Sequence, residues 1–512
     1  MEQVITEQVI TNDEPLFSTL KHCLPFIITH TADLGTPVDI FARLSANAQQ
    51  AFLFESVEGD ARLARYSFIG FDPLLTVSFK NNFAFIKHSH TDETTKKKAN
   101  NPVAFLESLL NKYLQTLEQT RSTANAAENK AIAHFTQQCQ AFPFSGGFAG
   151  YMGYNAAQYF EKIPQQSIDP FSVPEGYYGL YDAAIVFDHQ YKRMHILSLR
   201  GEKHVRSILA KILEPSQLEP LQLSNTALDE RTIFDQVETF FTKDNYLNAV
   251  SRCQKYIKEG EAFQIVLSQR FSIPTASHPI DAYRILQATN PSPYSYYLKY
   301  SEFVYFGSSP ETFLQCQNGQ LLLRAIAGTR PRGKDIAEDD ALSKELKSDE
   351  KEMAEHHMLV DLGRSDLGRV SQPGSVQPEE IAVIAKYSHV MHMSTAIKGQ
   401  LLPGKTCFDA FQSCFPAGTV SGAPKIRAMQ LLCQLEPEAR GIYAGAVGYF
   451  DLYGNMDSAI AIRSALVKNN MAHVNAGGGI VYDSDPESEY QETRNKAKSV
   501  LQAIKLAEAL DK

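Results

Sequence analysis

"AGAVGYFDLYGNMDSAIAIRSALVKNNMAHVNAGGGIV", Ala444 to Val481, decides the fold class. Runs rich in Val, Ile, Ala and aromatic residues are broken by two turn signals, the pattern of strands that double back on one another. The stretch "SEFVYFGSSPETFLQCQNGQLLLRAIAGT", Ser301 to Thr329, repeats the pattern with Asn318-Gly319 as its hairpin turn. Upstream, "NYLNAVSRCQKYIKEG" reads as an amphipathic helix running into a strand, "AFQIVLSQRF". In the first half, "RYSFIGFDPLLTVSF" and "YYGLYDAAIVFDHQYKRMHILSL" read as strands, the second with a hairpin around Asp188–Lys192. Helices and strands alternate in no βαβ rhythm. The expectation is an α+β fold: antiparallel-rich sheets in a large β-sandwich covered by helices.

The chain of 512 residues is long enough for more than one core. Polar, proline-bearing "LEPSQLEPLQLSNTALDERT", residues 213–232, separates two strand-rich regions. It divides an N-terminal domain, 1–230, from a C-terminal one, 231–512. Two other polar stretches read as surface excursions, "HSHTDETTKKKANN" near residue 90 and "EQTRSTANAAENK" near residue 120. The opening duplication "EQVITEQVIT" reads as a frayed end. A net charge of -9 with no basic stripe argues against a nucleic-acid partner. No apolar run reaches membrane-spanning length and the first residues are acidic, so a cytoplasmic protein is expected. The seven cysteines are scattered without a C-x-x-C pair, which reads as reduced thiols.

The chemistry begins with acids. In "SDEKEMAEHHMLVDLGRSDLGR", Ser348 to Arg369, Asp349, Glu352 and Glu355 recur every third residue and would share one helical face, with His356 the nearest relief. A second pair, Glu489 and Glu492, opens the C-terminal helix after Asp485-Pro486, a cap and a first helical residue. Two Glu-x-x-Glu faces suit a hard cation such as Mg²⁺, which takes one or two carboxylates and leaves room for an anionic substrate, or they are solvated surfaces. Directly before the second pair, Gly477, Gly478 and Gly479 in "NAGGGIVYDSD" would let backbone N–H groups approach an anion, or form a flexible turn. Lys496 lies one turn beyond Glu492. "FPAGTVSGAPKIRAMQLL" reads as a glycine-rich turn and a helix begun near Pro424. "GQLLPGKT", Gly399 to Thr406, satisfies a phosphate-loop pattern, but that loop needs a buried parallel strand before it and "MSTAIKG" is a poor one.

Together the segments "FQIVLSQRF", "SSPETF", "IAGTRPRG", "KEMAEHHMLVDLGRSDLGRV", "YSHVMH", "FPAGTVSGAPKIRAM", "RGIYAGAVGYF", "AIAIRSA" and "AGGGIVYDSDPESEYQET" resemble the chorismate-utilising enzymes, most closely the large subunits of the anthranilate-forming branch. They run in family order over roughly half the chain, and "LFES", "RYSFIG" and "GYMGYNAAQYFE" extend the likeness into the first half.

The resemblance implies a Mg²⁺-dependent lyase that converts chorismate and ammonia to anthranilate and pyruvate, the first step of tryptophan biosynthesis. It implies Glu355 and Glu492 as metal ligands, with Glu352 and Glu489 standing behind those ligands or reaching the ion through water. It implies Glu311 as the acid that protonates the departing ring hydroxyl, and His392 in the elimination of pyruvate. Thr419, Tyr443, Arg463 and the backbone of Gly477, Gly478 and Gly479 would hold the enolpyruvyl carboxylate, with Gly328, Thr329 and Lys496 also around the substrate. Gln264 stands where isochorismate and salicylate synthases carry a Lys that activates water, and a Gln cannot take that proton. Ala327 stands where aminodeoxychorismate synthase has a nucleophilic Lys, which removes a covalent route.

No cysteine in the chain has a glycine beside it, as a glutaminase nucleophile on a glycine-flanked elbow would. The resemblance implies that a glutamine amidotransferase small subunit supplies the ammonia, in a hetero-oligomer, a heterotetramer. The resemblance also implies feedback inhibition by tryptophan at Glu55, Ser56, Asn290, Pro293, Tyr294 and Ser295. Departures from the family pattern are Phe54 for Leu, Ser295 for Met, Ala325 for Pro, Ser365 for Asn, Gly478 for Ala and Tyr482 for Ala. The alternatives are an aminating relative that stops at aminodeoxyisochorismate, and a nucleotide-binding protein using Lys405.

Overall fold

The computed structural model describes residues 24–56, 65–89, 93–122, 124–166, 168–216, 218–221, 228–386 and 390–510. The opening duplication lies outside them.

Every pairing between described strands is antiparallel, and the strands form two sheets. The Ala444–Val481 stretch becomes four strands, but consecutive pairs do not stay together. Ala446–Asp451 and Met456–Ile460 pair in one sheet, Ser464–Lys468 and Met471–Ile480 in the other. The chain crosses between sheets at Arg463, whose backbone is left-handed at φ 53°. Asn318 and Gly319 are both left-handed, at φ 52° and 77°, as a tight hairpin requires.

The 12-stranded sheet runs from Phe26–Thr31 through Arg193–Ser198, Ala183–Asp188, Tyr66–Phe71 and Ala51–Glu55. It continues through Tyr294–Lys299, Val304–Ser309, Ser464–Lys468 and Met471–Ile480 to Gln264–Pro274, beyond which lie the short strands Glu238–Thr239 and Gly422–Ala423. The 11-stranded sheet runs from Gln377–Lys386 through Val390–Gln400, Gln320–Pro331 and Thr312–Gln317 to Met456–Ile460 and Ala446–Asp451. Gly147–Met152, Gly176–Tyr181, Leu75–Lys80, Phe83–His88 and Thr94–Lys98 complete it. Each sheet draws strands from both sides of residue 230, joined where Ala51–Glu55 meets Tyr294–Lys299 and where Gly147–Met152 meets Ala446–Asp451.

Alternation along the strands builds two main cores. Phe52 and Phe68 point between the sheets, where the Phe52 ring meets Tyr181 edge-on at 4.8 Å. Their neighbours Leu53 and Ile69 point outward under the helices Pro37–Ser45, Glu202–Ile212, Pro279–Thr289 and Pro486–Leu510. Two polar stretches behave differently from expectation. "TTKKK", Thr94–Lys98, is an edge strand rather than an excursion, its lysines keeping the open edge solvated. The stretch near residue 120 is mostly the end of one helix, Pro102–Ser122, and the capped start of the next, Ala126–Cys139.

One irregularity places the site. Between Ala327, opposite Met393, and Thr329, opposite His392, the strand Gln320–Pro331 carries an extra residue, Gly328, at φ 62°. A Cβ there would lie 2.8 Å from Leu346 and 3.0 Å from the Glu352 carboxylate, so both conformation and crowding demand glycine.

Candidate active site

The acidic helix spans Glu350–Gly368. Asp349 is not part of its face: it caps the helix, accepting from the Lys351 and Glu352 N–H groups at 3.0 and 3.1 Å. His356 gives no relief either. It is buried, its Nε2 is 2.6 Å from the Thr395 hydroxyl, and burial holds its pKa below the ordinary imidazole value. The counter-charge is Arg330, two residues beyond the bulge, whose guanidinium meets Glu345 at 3.0 Å, Asp349 at 3.3 Å and Glu352 at 3.0 Å. Sequence reasoning assigned Arg330 no role, although it lies in "IAGTRPRG" and a stack of carboxylates calls for a fixed cation.

The second acidic pair lies on the helix Pro486–Leu510, capped by Asp485, which accepts from the Ser488 N–H at 2.9 Å. Glu489 accepts from the Ser484 hydroxyl at 2.6 Å through one oxygen, while the other, Oε2, is buried and has no hydrogen-bond partner. Glu492 pairs with Lys496 at 2.5 Å, and the same ammonium donates to the Gly477 carbonyl at 2.9 Å. The two helices meet electrostatically. The Glu355 pKa is raised first by burial, then by Glu352, and Glu492 adds to the push while Lys351 eases it. Burial likewise raises Glu489, with Glu492 adding to it.

These residues fit a divalent cation in a limited sense. Among the described residues no three His, Cys, Asp or Glu side chains form a ready cage. Mg²⁺ does not require one, since it takes one or two carboxylates and fills its octahedron with water and substrate oxygens. A buried, partnerless carboxylate oxygen on Glu489, and Glu355 and Glu489 carboxyls both raised by burial and by neighbouring acids, mark a pocket short of positive charge.

The glycines beside this pocket are strand, not loop. Gly477, Gly478 and Gly479 pair with Ser268, Leu267 and Val266. A Cβ on Gly477 would come 3.1 Å from the Tyr443 hydroxyl, on Gly478 2.9 Å from Glu489 Oε2, and on Gly479 2.8 Å from Gln264 Nε2. Their smallness therefore admits site side chains from both faces of the sheet. Gln264 opens the neighbouring strand and its amide reaches Glu355 at 3.4 Å. Arg463 is half-buried and donates to the Lys496 carbonyl at 2.9 Å; desolvation works against its charge, and Tyr443 and Glu492 partly offset that.

Glu311 lies between Val304–Ser309 and Thr312–Gln317. Burial pushes its carboxyl pKa up to about 7, with Thr419 and the Lys496 ammonium pulling it back. Thr419 sits in the turn Gly418–Val420, its hydroxyl buried and without a partner at hydrogen-bond length. His392, opposite Thr329, places Nδ1 3.4 Å from the Gly328 carbonyl, and burial keeps its pKa low. A carbonyl only accepts, so Nδ1 carries the proton and Nε2 the lone pair. The structure thus brings the predicted acids, Gln264, the glycines, Arg463 and Lys496 into one linked group, and places Glu311 with Thr419 and Lys496.

Residues 80–502 match the family model described as chorismate binding enzyme. The chain belongs to that family. Within it the chain is 38% identical over 496 residues to anthranilate synthase component 1 of Acetivibrio thermocellus, covering 94% of this chain and 96% of the relative. It is 39% identical over 498 residues to the component 1 protein of Pseudomonas putida, covering 95% and 96%. The crystal structure of anthranilate synthase component I from Streptococcus pneumoniae superposes with a TM-score of 0.73 at 35% identity, covering 92% of this chain and 98% of that one. The menaquinone-specific isochorismate synthase of Escherichia coli shares the fold, with a TM-score of 0.65 at 18% identity.

This chorismate-binding enzyme has a second concavity, a cavity of about 360 Å³ between the sheets, lined by Phe54, Ser56, Pro293, Tyr294, Ser295 and Asp457 among others. Burial pushes Asp457 up to about 7, although the Tyr294 hydroxyl and the Gln315 amide each donate to it at 3.0 Å. Glu55 borders the cavity, but its carboxylate is held on the helix side by the Tyr283 hydroxyl at 2.6 Å and the Gln287 amide at 2.8 Å. Asn290 is not among the lining residues; its carbonyl accepts from the Ser308 hydroxyl at 2.7 Å. Of the expected inhibitor residues, the cavity gathers Ser56, Pro293, Tyr294 and Ser295, with Glu55 at its border.

Proposed function

We propose that the chain is the chorismate-converting component of an anthranilate synthase, a lyase that forms anthranilate and pyruvate from chorismate and ammonia. The observation that carries the reading is Glu311, a carboxyl that keeps its proton to about pH 7 beside Thr419 and Lys496. A neutral acid in that place can donate a proton to a departing hydroxyl.

Glu355 and Glu492 would hold Mg²⁺, with Glu352 and Glu489 around them. The ion would supply charge stabilisation at the ring carboxylate. Arg463, Tyr443, Thr419 and the Gly477–Gly479 strand would hold the enolpyruvyl carboxylate, the arginine being suited to a two-point contact. Lys496 is tied to Gly477 and Glu492, which holds its charge at the edge of the glycine strand, where it would face the substrate. Neutral His392, with its lone pair on Nε2, suits proton removal as pyruvate leaves. At the two positions where sister activities use a lysine, Gln264 and Ala327 offer neither a base nor a nucleophile, which favours ammonia as the attacking group.

Ammonia would come from a glutamine-hydrolysing partner. Burial pushes Cys139 and Cys253 up to about 12 and Cys316 and Cys433 to about 11, unlike a thiolate nucleophile. The cavity between the sheets is the proposed seat of tryptophan inhibition, with Phe54 and Ser295 altering its shape from the family pattern. A heterotetramer in the cytoplasm is the proposed setting; among the described residues no helix is long and apolar enough to cross a membrane.

The phosphate-loop alternative loses its geometric basis. The strand before it, Val390–Gln400, is antiparallel to both neighbours, and Lys405 pairs with Asp409 at 2.9 Å. The test is a fluorescence assay for anthranilate with chorismate, ammonium and Mg²⁺, with and without chelator. Anthranilate that disappears with chelator is expected. Accumulation of aminodeoxyisochorismate would favour the truncated reaction, and unconsumed chorismate would reject both.

A further inference from the structure

Arg440 is the largest of the fully buried side chains, yet it lies outside the residues assigned above. Its guanidinium is held by Glu436, with Nε 2.8 Å from Oε2 and Nη2 2.5 Å from Oε1. Glu436 is fixed in turn by the Ser268 N–H and hydroxyl, each donating to Oε1 at 2.9 Å. Two further donors of the fork go to backbone carbonyls from distant segments. Nη1 reaches Val420 O and Nη2 reaches Val266 O, both at 2.6 Å.

Those carbonyls are significant by position. Val420 adjoins Thr419 in the turn Gly418–Val420. Val266 is the strand partner of Gly479. Tyr443 lies three residues beyond Arg440, its ring 6.0 Å from the guanidinium carbon, and Tyr154 covers the guanidinium at 4.4 Å. A buried ion pair is weak evidence of added stability, because desolvation offsets much of the attraction. A planar fork does something an apolar side chain cannot: it sets the angle and spacing between the groups it bridges.

We propose that Arg440, clamped by Glu436, is the positioning residue for the carboxylate-holding end of the site. It registers Thr419, Tyr443 and the Gly477–Gly479 strand against one another. The inference rests on the reading that these groups grip chorismate.

The test is steady-state kinetics of the full-length protein with ammonium as the amine source. Arg440→Lys keeps a cation beside Glu436 but cannot span both carbonyls in one plane. Its KM for chorismate should rise about tenfold, the size of one lost charge-assisted hydrogen bond, with kcat within about threefold. Arg270→Lys is the control, since Arg270 pairs with Glu438 at 2.5 Å two residues along and touches none of the site groups. It should lower the melting temperature and leave KM unchanged. Should Arg440→Lys not fold, Glu436→Gln keeps the shape and slackens the clamp, and its KM should rise in the same direction. A folded Arg440→Lys or Glu436→Gln protein with unaltered KM, losing activity only in step with folded fraction as Arg270→Lys does, overturns the proposal. A wild-type protein that makes no anthranilate instead overturns the functional reading on which it stands.

Discussion

Glu311 owes its chemistry to burial, and the same burial has a cost in stability. Its folded pKa of about 7 lies above the ordinary value of 4.5, so the folded state holds the proton more tightly than the unfolded chain. The linked stability is therefore fully present below about pH 4.5 and lost as pH rises toward about 7. Activity that needs the protonated acid should fall on the same alkaline side. Glu311→Gln should lower kcat by about 10²–10⁴-fold. Its melting temperature at pH 8 should equal or exceed that of the wild type, because the glutamine has no proton to lose. A melting temperature well below wild type at pH 8 would show instead that the carboxyl is structural.

At the scale of elements, the two acidic helices behave as one electrostatic unit. Glu352, Glu355, Glu489 and Glu492 come from segments far apart in sequence, yet their charges act on one another. Added Mg²⁺ should raise the melting temperature, since a ligand bound only by the folded state stabilises it by mass action. Glu355→Gln should shrink that rise while leaving the metal-free melting temperature equal or higher, because it removes a repelling charge. The unit was half legible. Glu-x-x-Glu spacing announces a shared helical face, and Asp485-Pro486 announces the helix that carries the second pair. Asp349 misleads, because spacing does not distinguish a capping carboxylate from one on the face. Gly477–Gly479 misleads too: a glycine run is ordinarily a turn, and only the crowding by Tyr443, Glu489 and Gln264 explains it within a strand. The hairpin at Asn318-Gly319 was readable because a left-handed two-residue turn needs those residue types. Arg330 and Arg440 were unreadable as partners, since what they bridge is set by tertiary packing.

At the scale of the molecule, both sheets run continuously across residue 230, and the core between them takes side chains from each half, Phe52 and Phe148 with Phe313 and Tyr449. The polar stretch 213–232, which lies partly outside the described residues, carries no information about which strands later pair. Unfolding in urea should follow one transition by both fluorescence and circular dichroism, because neither half can keep its core without the other. Two separated transitions would show that the halves hold together independently. The cavity between the sheets was legible only in part for a related reason. Strand alternation predicts which residues face inward, but the turning of Glu55 toward Tyr283 depends on a helix placed by distant contacts.

The extra residue at Gly328 acts as a change of parity. Before it, odd positions on the strand share a side with their partners Ile397, Thr395 and Met393, the side where His356 of the acidic helix reaches Thr395. After it, the even position Arg330 takes that side, opposite Met391. Excising this one glycine would restore an uninterrupted ladder and send the guanidinium to the far surface of the sheet. A segment shorter by a single residue would then leave the cap and first turn of a neighbouring helix without their cation, though no charged group had been touched.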